Sequence, residues 1–406
     1  MPTSWQIQAC RSCNSSALEN VLDLGQQPIS NRFITDDKQT EYTHSMVMAQ
    51  CGDCGLIQVI DGVHADELMP PFDWISYNEP EGHLDDLVEI ITSLSSFREG
   101  ASVCGISFKD GSTLTRLKEN GAGDTWLIDP PADLGIDDPR AGIETIQGKL
   151  TPEKAQQLVE KNGAADIVIV RHILEHAHDT AMFMDAIKLL VAPDGHIIFE
   201  VPDCSRALET LDYSCPWEEH VLYFTPETFQ QNLVSGGFSL VRFECYPYPF
   251  ENSLVGIVKA HGNGTFEGSA DSQLSKNRAD WQTYSQSLES RRQNLRNKLV
   301  QVQKEQGKIA LFGAGHLAAF YVNLLGITDL VEFVVDDNPN KKGLLMPGSR
   351  LAILGSDQLV EREIKLCLLS LSPESEGKVI QNNQGFVDQG GEFFSIFPSS
   401  QRALSL

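Results

Sequence analysis

Positive charge is what this sequence has too little of: 31 lysines and arginines stand against 56 aspartates and glutamates, a formal net charge of −25 at pH 7. No basic stripe exists to neutralise phosphates, so nucleic acid is excluded as a partner. An anionic ligand has to be held locally, by helix N-termini and a few Arg or Lys, against the overall field. Long hydrophobic runs are also missing. No apolar stretch approaches the roughly 20 residues that cross a bilayer, and no membrane partner is expected. The opening Met1-Pro-Thr-Ser-Trp-Gln6 has neither the basic nor the apolar region of a secretory signal. Of nine cysteines, Cys104, Cys204, Cys215, Cys245 and Cys367 are scattered without pattern. An odd total of this kind suits a reducing cytoplasm rather than a disulfide framework.

The other four cysteines are paired. Cys10-Arg-Ser-Cys13 and Cys51-Gly-Asp-Cys54 are two knuckles in which two sulfurs each converge on one metal. Four thiolates fill a tetrahedral zinc ion and leave no open position, so the zinc is expected to be structural.

At 406 residues the chain is too long for one ordinary core. Residues 1–66 read as the zinc-binding domain. Residues 67–262 alternate short apolar runs with amphipathic segments, the pattern of an α/β doubly wound sheet closed by an antiparallel pair. Strands are expected at Ala101–Ser107, Thr125–Ile128, Ile167–Val170, His196–Val201, Ser239–Tyr246 and Ser253–Lys259, and a first helix near Leu84–Phe97. A connector over residues 263–305, a Gly-rich break and then a polar, charged helix at roughly Leu274–Glu305, leads to a second Rossmann-like unit at 306–406, where Lys308–Phe312 runs into Gly313-Ala-Gly315.

Three clusters carry chemistry. Class I methyltransferases bind S-adenosylmethionine where the first strand turns into the first helix, and an acidic residue after the second strand takes the ribose hydroxyls. The corresponding residues here are Gly105, Ser107, Asp110 and Gly111 in Gly105-Ile-Ser-Phe-Lys-Asp-Gly111, followed by Asp129. His172, Glu175 and His176 follow an apolar strand, where such enzymes place polar groups facing the cofactor. In Pro216-Trp-Glu-Glu-His-Val-Leu-Tyr-Phe-Thr225, Glu219 stands beside His220 in an apolar wall. An imidazole titrates near neutrality and can take a proton from carbon next to a carbonyl, with a carboxylate to orient or balance it.

Together these pieces resemble the sugar carbon-methyltransferases that act on nucleotide-linked 4-ketohexoses in deoxysugar biosynthesis, over nearly the whole chain. Cys10-x-x-Cys13, Leu22-Asp-Leu-Gly-x-x-Pro28 with Asn31 and Phe33, and Cys51-x-x-Cys54-Gly-Leu56 look like that family's zinc module. Trp217-Glu-Glu-His220 with Tyr223-Phe224 looks like its catalytic stretch, and Gly313-Ala-Gly315 with Val335-Asp-Asp-Asn-Pro-Asn-Lys-Lys-Gly343 like its third domain. The resemblance implies a methyltransferase domain flanked by the zinc and C-terminal domains, with S-adenosylmethionine and structural zinc as cofactors. It implies His220 as general base with Glu219 beside it, and Tyr77 and His176 around the cofactor and substrate, with His172 standing where family members often carry Asn. The implied partner is a nucleotide-diphosphate keto-sugar.

This sequence departs from the family at Gly105, where a Glu is usual, at Ser107, where the first Gly stands, and at Trp217, which replaces a Tyr. The C-terminal Gly-Ala-x-x-Lys-Gly becomes Gly313-Ala-Gly-His-Leu-Ala318, losing its Lys. A nucleotide-sugar-binding or scaffold protein of the same fold is the alternative that the altered first loop would suit, and a methyltransferase with another acceptor is a second.

Overall fold

A computed structural model of the chain describes residues 5–75, 79–261 and 270–405, with the side chains of 5, 6 and 270–274 left aside. Tyr77 lies outside the described residues. Near the N-terminus, β1 (Leu18–Pro28), β2 (Thr43–Cys51) and β3 (Ile57–Val59) form an antiparallel sheet. Its fourth strand, Leu222–Tyr223, comes from far along the chain and pairs antiparallel with β3, Leu222 opposite Gln58 and Tyr223 opposite Ile57.

After helix α1 (Leu84–Thr92) the central sheet is built from β4 (Val103–Gly105), β5 (Thr125–Leu127), β6 (Ala165–Arg171), β7 (Val191–Asp203), β8 (Ser239–Tyr246) and β9 (Asn252–Lys259). The spatial order is β8-β9-β7-β6-β4-β5; β4 to β7 are parallel, and β9 joins antiparallel to both β7 and β8. This is the doubly wound sheet with a terminal antiparallel pair that the sequence order implies. β6 is an all-but-buried Ala-Asp-Ile-Val-Ile-Val-Arg run because neighbours cover both its faces. β4 is shorter than the apolar run suggests, since Asp110 turns the backbone away just after Gly105. Gly135–Gly142 form no strand, so β5 remains an edge, with Leu127 38% exposed. The helices around this sheet include α2 (Gly111–Glu119), α3 (Ile143–Lys149), α4 (Pro152–Asn162), α5 (Thr180–Leu190) and α6 (Pro226–Ser235).

Helix α7 (Ala270–Glu305) is 36 residues long, about 54 Å at 1.5 Å per residue. Trp281, Tyr284, Leu288, Leu295, Leu299 and Val302 form a buried apolar stripe along it. The stripe packs into the core that joins zinc module and C-terminal domain. The latter is a five-stranded parallel sheet of β10 (Lys308–Phe312), β11 (Val334–Val335), β12 (Ile353–Leu354), β13 (Ile364–Leu369) and β14 (Glu392–Ser395), in the order β12-β11-β10-β13-β14. Helix α8 (His316–Leu325) leaves β10 through Gly313-Ala-Gly315. Among the described residues no helix is long and apolar enough to cross a membrane.

Candidate functional site

The four paired cysteines meet within 4.8 Å of one another, with Sγ separations of 3.6 Å for Cys10–Cys54 and Cys13–Cys51. Sulfurs about 3.8 Å apart are what Zn–S bonds of ~2.3 Å give at tetrahedral angles, so the set fits zinc.

The loop after β4 is held from inside. Asp110 is fully buried; one carboxylate oxygen accepts the Ile106 (2.7 Å) and Ser107 (2.9 Å) amides, and the other accepts the Arg171 amide at the end of β6 (2.9 Å). Burial pushes its carboxyl up to about 7, against the pull of those donors and of Arg171. Ser107 has an extended backbone (φ −138°), which any residue adopts, and its hydroxyl accepts the Lys109 amide. Gly105 is required for packing: a Cβ there would come within 2.8–2.9 Å of Leu127, Asp110 and Leu114. Gly111 is helical, and a Cβ there would meet nothing within 4 Å. Asp129 is exposed and caps the turn that follows, accepting the Ala132 amide at 2.9 Å.

Beyond β6 the backbone bends sharply. His172 sits at φ +48°, an uncommon conformation for a non-glycine residue, and Glu200 at the end of β7 holds it there. The His172 amide donates to the Glu200 carbonyl (2.9 Å), and Nε2 meets Glu200 Oε1 at 3.1 Å. The same carboxylate binds the Arg171 guanidinium, Ser253 Oγ (2.6 Å) and His83 Nε2 (3.2 Å). Burial alone would lower the His172 imidazole, but Glu79, Glu175 and Glu200 more than offset it and hold it at about 10. Those carboxylates favour the protonated form of His172. His176 Nδ1 lies 2.7 Å from Glu144 Oε1 of α3 and is raised in the same way, burial again opposing.

His220 has the opposite character. Burial, then charge repulsion from His176, His316 and His172, lower its imidazole well below the ordinary range. The His176 ring stands edge-on to it at 4.6 Å. Trp217 stacks on His316 from the C-terminal domain, with centroids 4.3 Å apart and planes 20° apart. Glu219 is buried, and burial followed by the neighbouring charges of Glu144 and Glu218 raises its carboxyl well above the usual range.

Two cavities meet at Glu79 and Trp217. One of about 250 Å³ is lined by Phe108, Lys109, Glu144, His176 and Glu219. The other, about 460 Å³, is lined by His172, Glu175, His220, Glu251 and His316. So His220 and His172 come together, as do His176 and Glu219, while adjacent Glu219 and His220 face different cavities. Gly105, Ser107, Asp110, Gly111 and Asp129 line neither. Sequence reasoning missed Glu79, Glu144, Glu200, Glu251 and His316. Glu200 left a signal, a lone carboxylate inside the apolar run Ile197-Ile-Phe-Glu-Val201; Glu144 left none.

A zinc binding domain family matches residues 10–68, a methyltransferase domain family residues 86–242, and a C-methyltransferase C-terminal domain family residues 269–398. C-methyltransferase NovU of Streptomyces niveus is 22% identical over 405 residues, 97% of this chain and 96% of that protein. Among solved structures, an O-methyltransferase family protein from Burkholderia thailandensis aligns at 16% identity and TM-score 0.29, covering 44% of this chain and 56% of its own. The LepI complex with SAM aligns at 18% identity and TM-score 0.32, covering 45% of this chain and 49% of its own.

Proposed function

We propose a nucleotide-linked keto-deoxysugar as the substrate of this chain, which belongs to the S-adenosylmethionine-dependent C-methyltransferases. The observation that carries this reading is a pair of imidazoles lining one cavity, His220 lowered by burial and neighbouring charge and His172 raised by the carboxylates around it. Environments that push two groups apart in this way assign a base and an acid. His220 takes a proton from the carbon beside the ketone. The C–H electron pair moves into an enolate, whose oxygen is stabilised by the fixed imidazolium of His172. When bound, S-adenosylmethionine supplies an electrophilic methyl group, and its loss leaves a neutral thioether.

The smaller cavity suits that cofactor. It opens beside the loop after β4, and its Glu79 and Glu144 side chains would face the cofactor's cationic sulfonium and ammonium. One oxygen of Glu144 is buried without a hydrogen-bond partner, and Phe108, 59% exposed, offers an aromatic face. The larger cavity, walled by His316, Ser372 and Ser375 of the C-terminal domain, takes the sugar.

The test is turnover with S-adenosylmethionine and a nucleotide-linked 4-keto-deoxysugar, read by mass spectrometry and carbon NMR. A new C–CH₃ group on the carbon flanking the ketone is expected. Methylation at oxygen, or equal turnover of a simple ketone without a nucleotide, contradicts the substrate assignment.

A further inference from the structure

Four cysteine thiolates alone would explain a module that folds around zinc and stands apart from the chemistry. The contacts show something closer. The strand Leu222–Tyr223, two residues past His220, is the fourth strand of the zinc module's own sheet. Val221 is stitched on both sides: its carbonyl accepts the Val59 amide and its amide donates to the Glu175 carbonyl, each at 2.9 Å.

Side chains repeat the tie one residue at a time. Trp217 Nε1 donates to Ser30 Oγ (3.1 Å). Glu218 accepts from the Ser30 amide (2.6 Å) and hydroxyl (2.7 Å). Glu219 accepts from Asn31 Nδ2 (3.1 Å), which also donates to the Leu68 carbonyl (3.0 Å). Ser30 and Asn31 are buried. The knuckle joins the same assembly: Arg11, between Cys10 and Cys13, donates to the Val59 carbonyl (2.6 Å) and to the carbonyl of His178 (3.1 Å), two residues past His176. Gln58 donates to Cys10 Sγ at 3.2 Å and lies opposite Leu222.

We infer that the Ser30-Asn31 turn of the zinc module holds residues 217–219 in place and so sets the position of His220, making Ser30 and Asn31 positioning residues of the reaction. A zinc ion bound by the four cysteines would be the distant anchor, through Arg11 and Gln58. This rests on His220 being the base. Proton transfer from carbon tolerates little displacement, since a shift of about 1 Å can cost on the order of a hundredfold in rate. Ser30 and Asn31 line neither of the two main cavities but a smaller one that also touches His316, so their loss should act on rate more than on cofactor binding.

The experiment compares full-length, zinc-loaded wild type with Ser30→Ala, Asn31→Ala and the conservative Ser30→Thr. Four quantities are measured: zinc content, S-adenosylhomocysteine affinity by calorimetry, kcat and KM, and amide hydrogen exchange over residues 217–223. In both alanine variants zinc content should stay at the wild-type value, and S-adenosylhomocysteine affinity should fall far less than kcat. kcat should fall by about ten- to a hundredfold, exchange at 217–223 should quicken, and Ser30→Thr should recover most of the rate. Unchanged kcat in Asn31→Ala, or a rate lost only in step with zinc and folded protein, overturns the inference. If wild type itself fails to methylate the keto-sugar nucleotide, the proposed substrate falls. Exchange over 217–223 then decides the coupling alone, and rates equal to wild type in both alanine variants overturn it.

Discussion

At the scale of single residues, the site works by holding similar groups in unlike states. His172 is raised to about 10 by three carboxylates despite its burial, whereas His220 is lowered by burial and by the cations around it. Activity therefore needs His220 without its proton and His172 with one. A kcat/KM profile should stay flat from mildly acidic pH upwards and fall on the alkaline side as pH passes about 10. His172→Gln should lose that alkaline limb. The same group contributes to stability with a defined sign. Its folded value lies above the unfolded one, so the contribution is complete below about 6.5. It is then lost as pH climbs towards 10, which thermal melts of wild type and His172→Gln would show. Asp110 makes a second residue-level prediction. Asp110→Ala leaves the amides of Ile106, Ser107 and Arg171 without acceptors, and at about 1–3 kcal/mol for each buried orphan it should be among the more damaging substitutions in a melting series.

Residue chemistry was only partly legible in the sequence. The cysteine knuckles declare themselves because both ligands of each pair lie within one turn of chain. Asp110 is visible as an acidic loop residue, yet its inward orientation depends on Arg171, whose amide it reaches across 61 positions. Glu144 and His316 could not be found from the sequence alone. Their meaning comes from His176 and Trp217, brought to them by folding rather than by any local pattern.

At the scale of elements, period and punctuation predicted much. The three-and-four spacing at Leu84, Leu87, Val88 and Ile91 is the buried face of α1, and the apolar run before Arg171 is the buried strand β6. The long connector showed its polar character, and its aromatic stripe ties the domains: Tyr284 Oη donates to the Asp212 carbonyl (2.8 Å), and Tyr213 Oη donates to the Tyr284 carbonyl. The Leu222–Tyr223 strand could not be anticipated, because two residues carry no period and their partner lies in another domain. Gly62 marks the same seam. A Cβ there would lie 2.5 Å from His178 Cε1. Gly62→Ala should therefore push His178 aside and cost about 1–3 kcal/mol by overpacking. Denaturant titration reads that cost, and Gly111→Ala, in open space at a helix start, serves as the near-neutral control.

At the scale of the whole molecule, charge and architecture act in opposite directions on the proposed substrate. A net charge of −25 repels a nucleotide diphosphate, and salt screens that repulsion within about 10 Å at 0.1 M. KM for the sugar nucleotide should therefore fall as ionic strength rises from low values, the reverse of a protein with a basic cleft. A steady rise in KM over the same range would mean that local cations dominate. Architecture brings the substrate in: zinc module, central sheet and C-terminal domain each supply a wall or a brace to two adjoining cavities.

The most direct measurement is deuterium exchange at the sugar carbon beside the ketone, followed by proton NMR in D₂O with S-adenosylhomocysteine in place of the methyl donor. Wild type should exchange that hydrogen without methylating, and His220→Ala, folded and still binding S-adenosylhomocysteine, should not. Exchange at the wild-type rate in His220→Ala would contradict the account at its base.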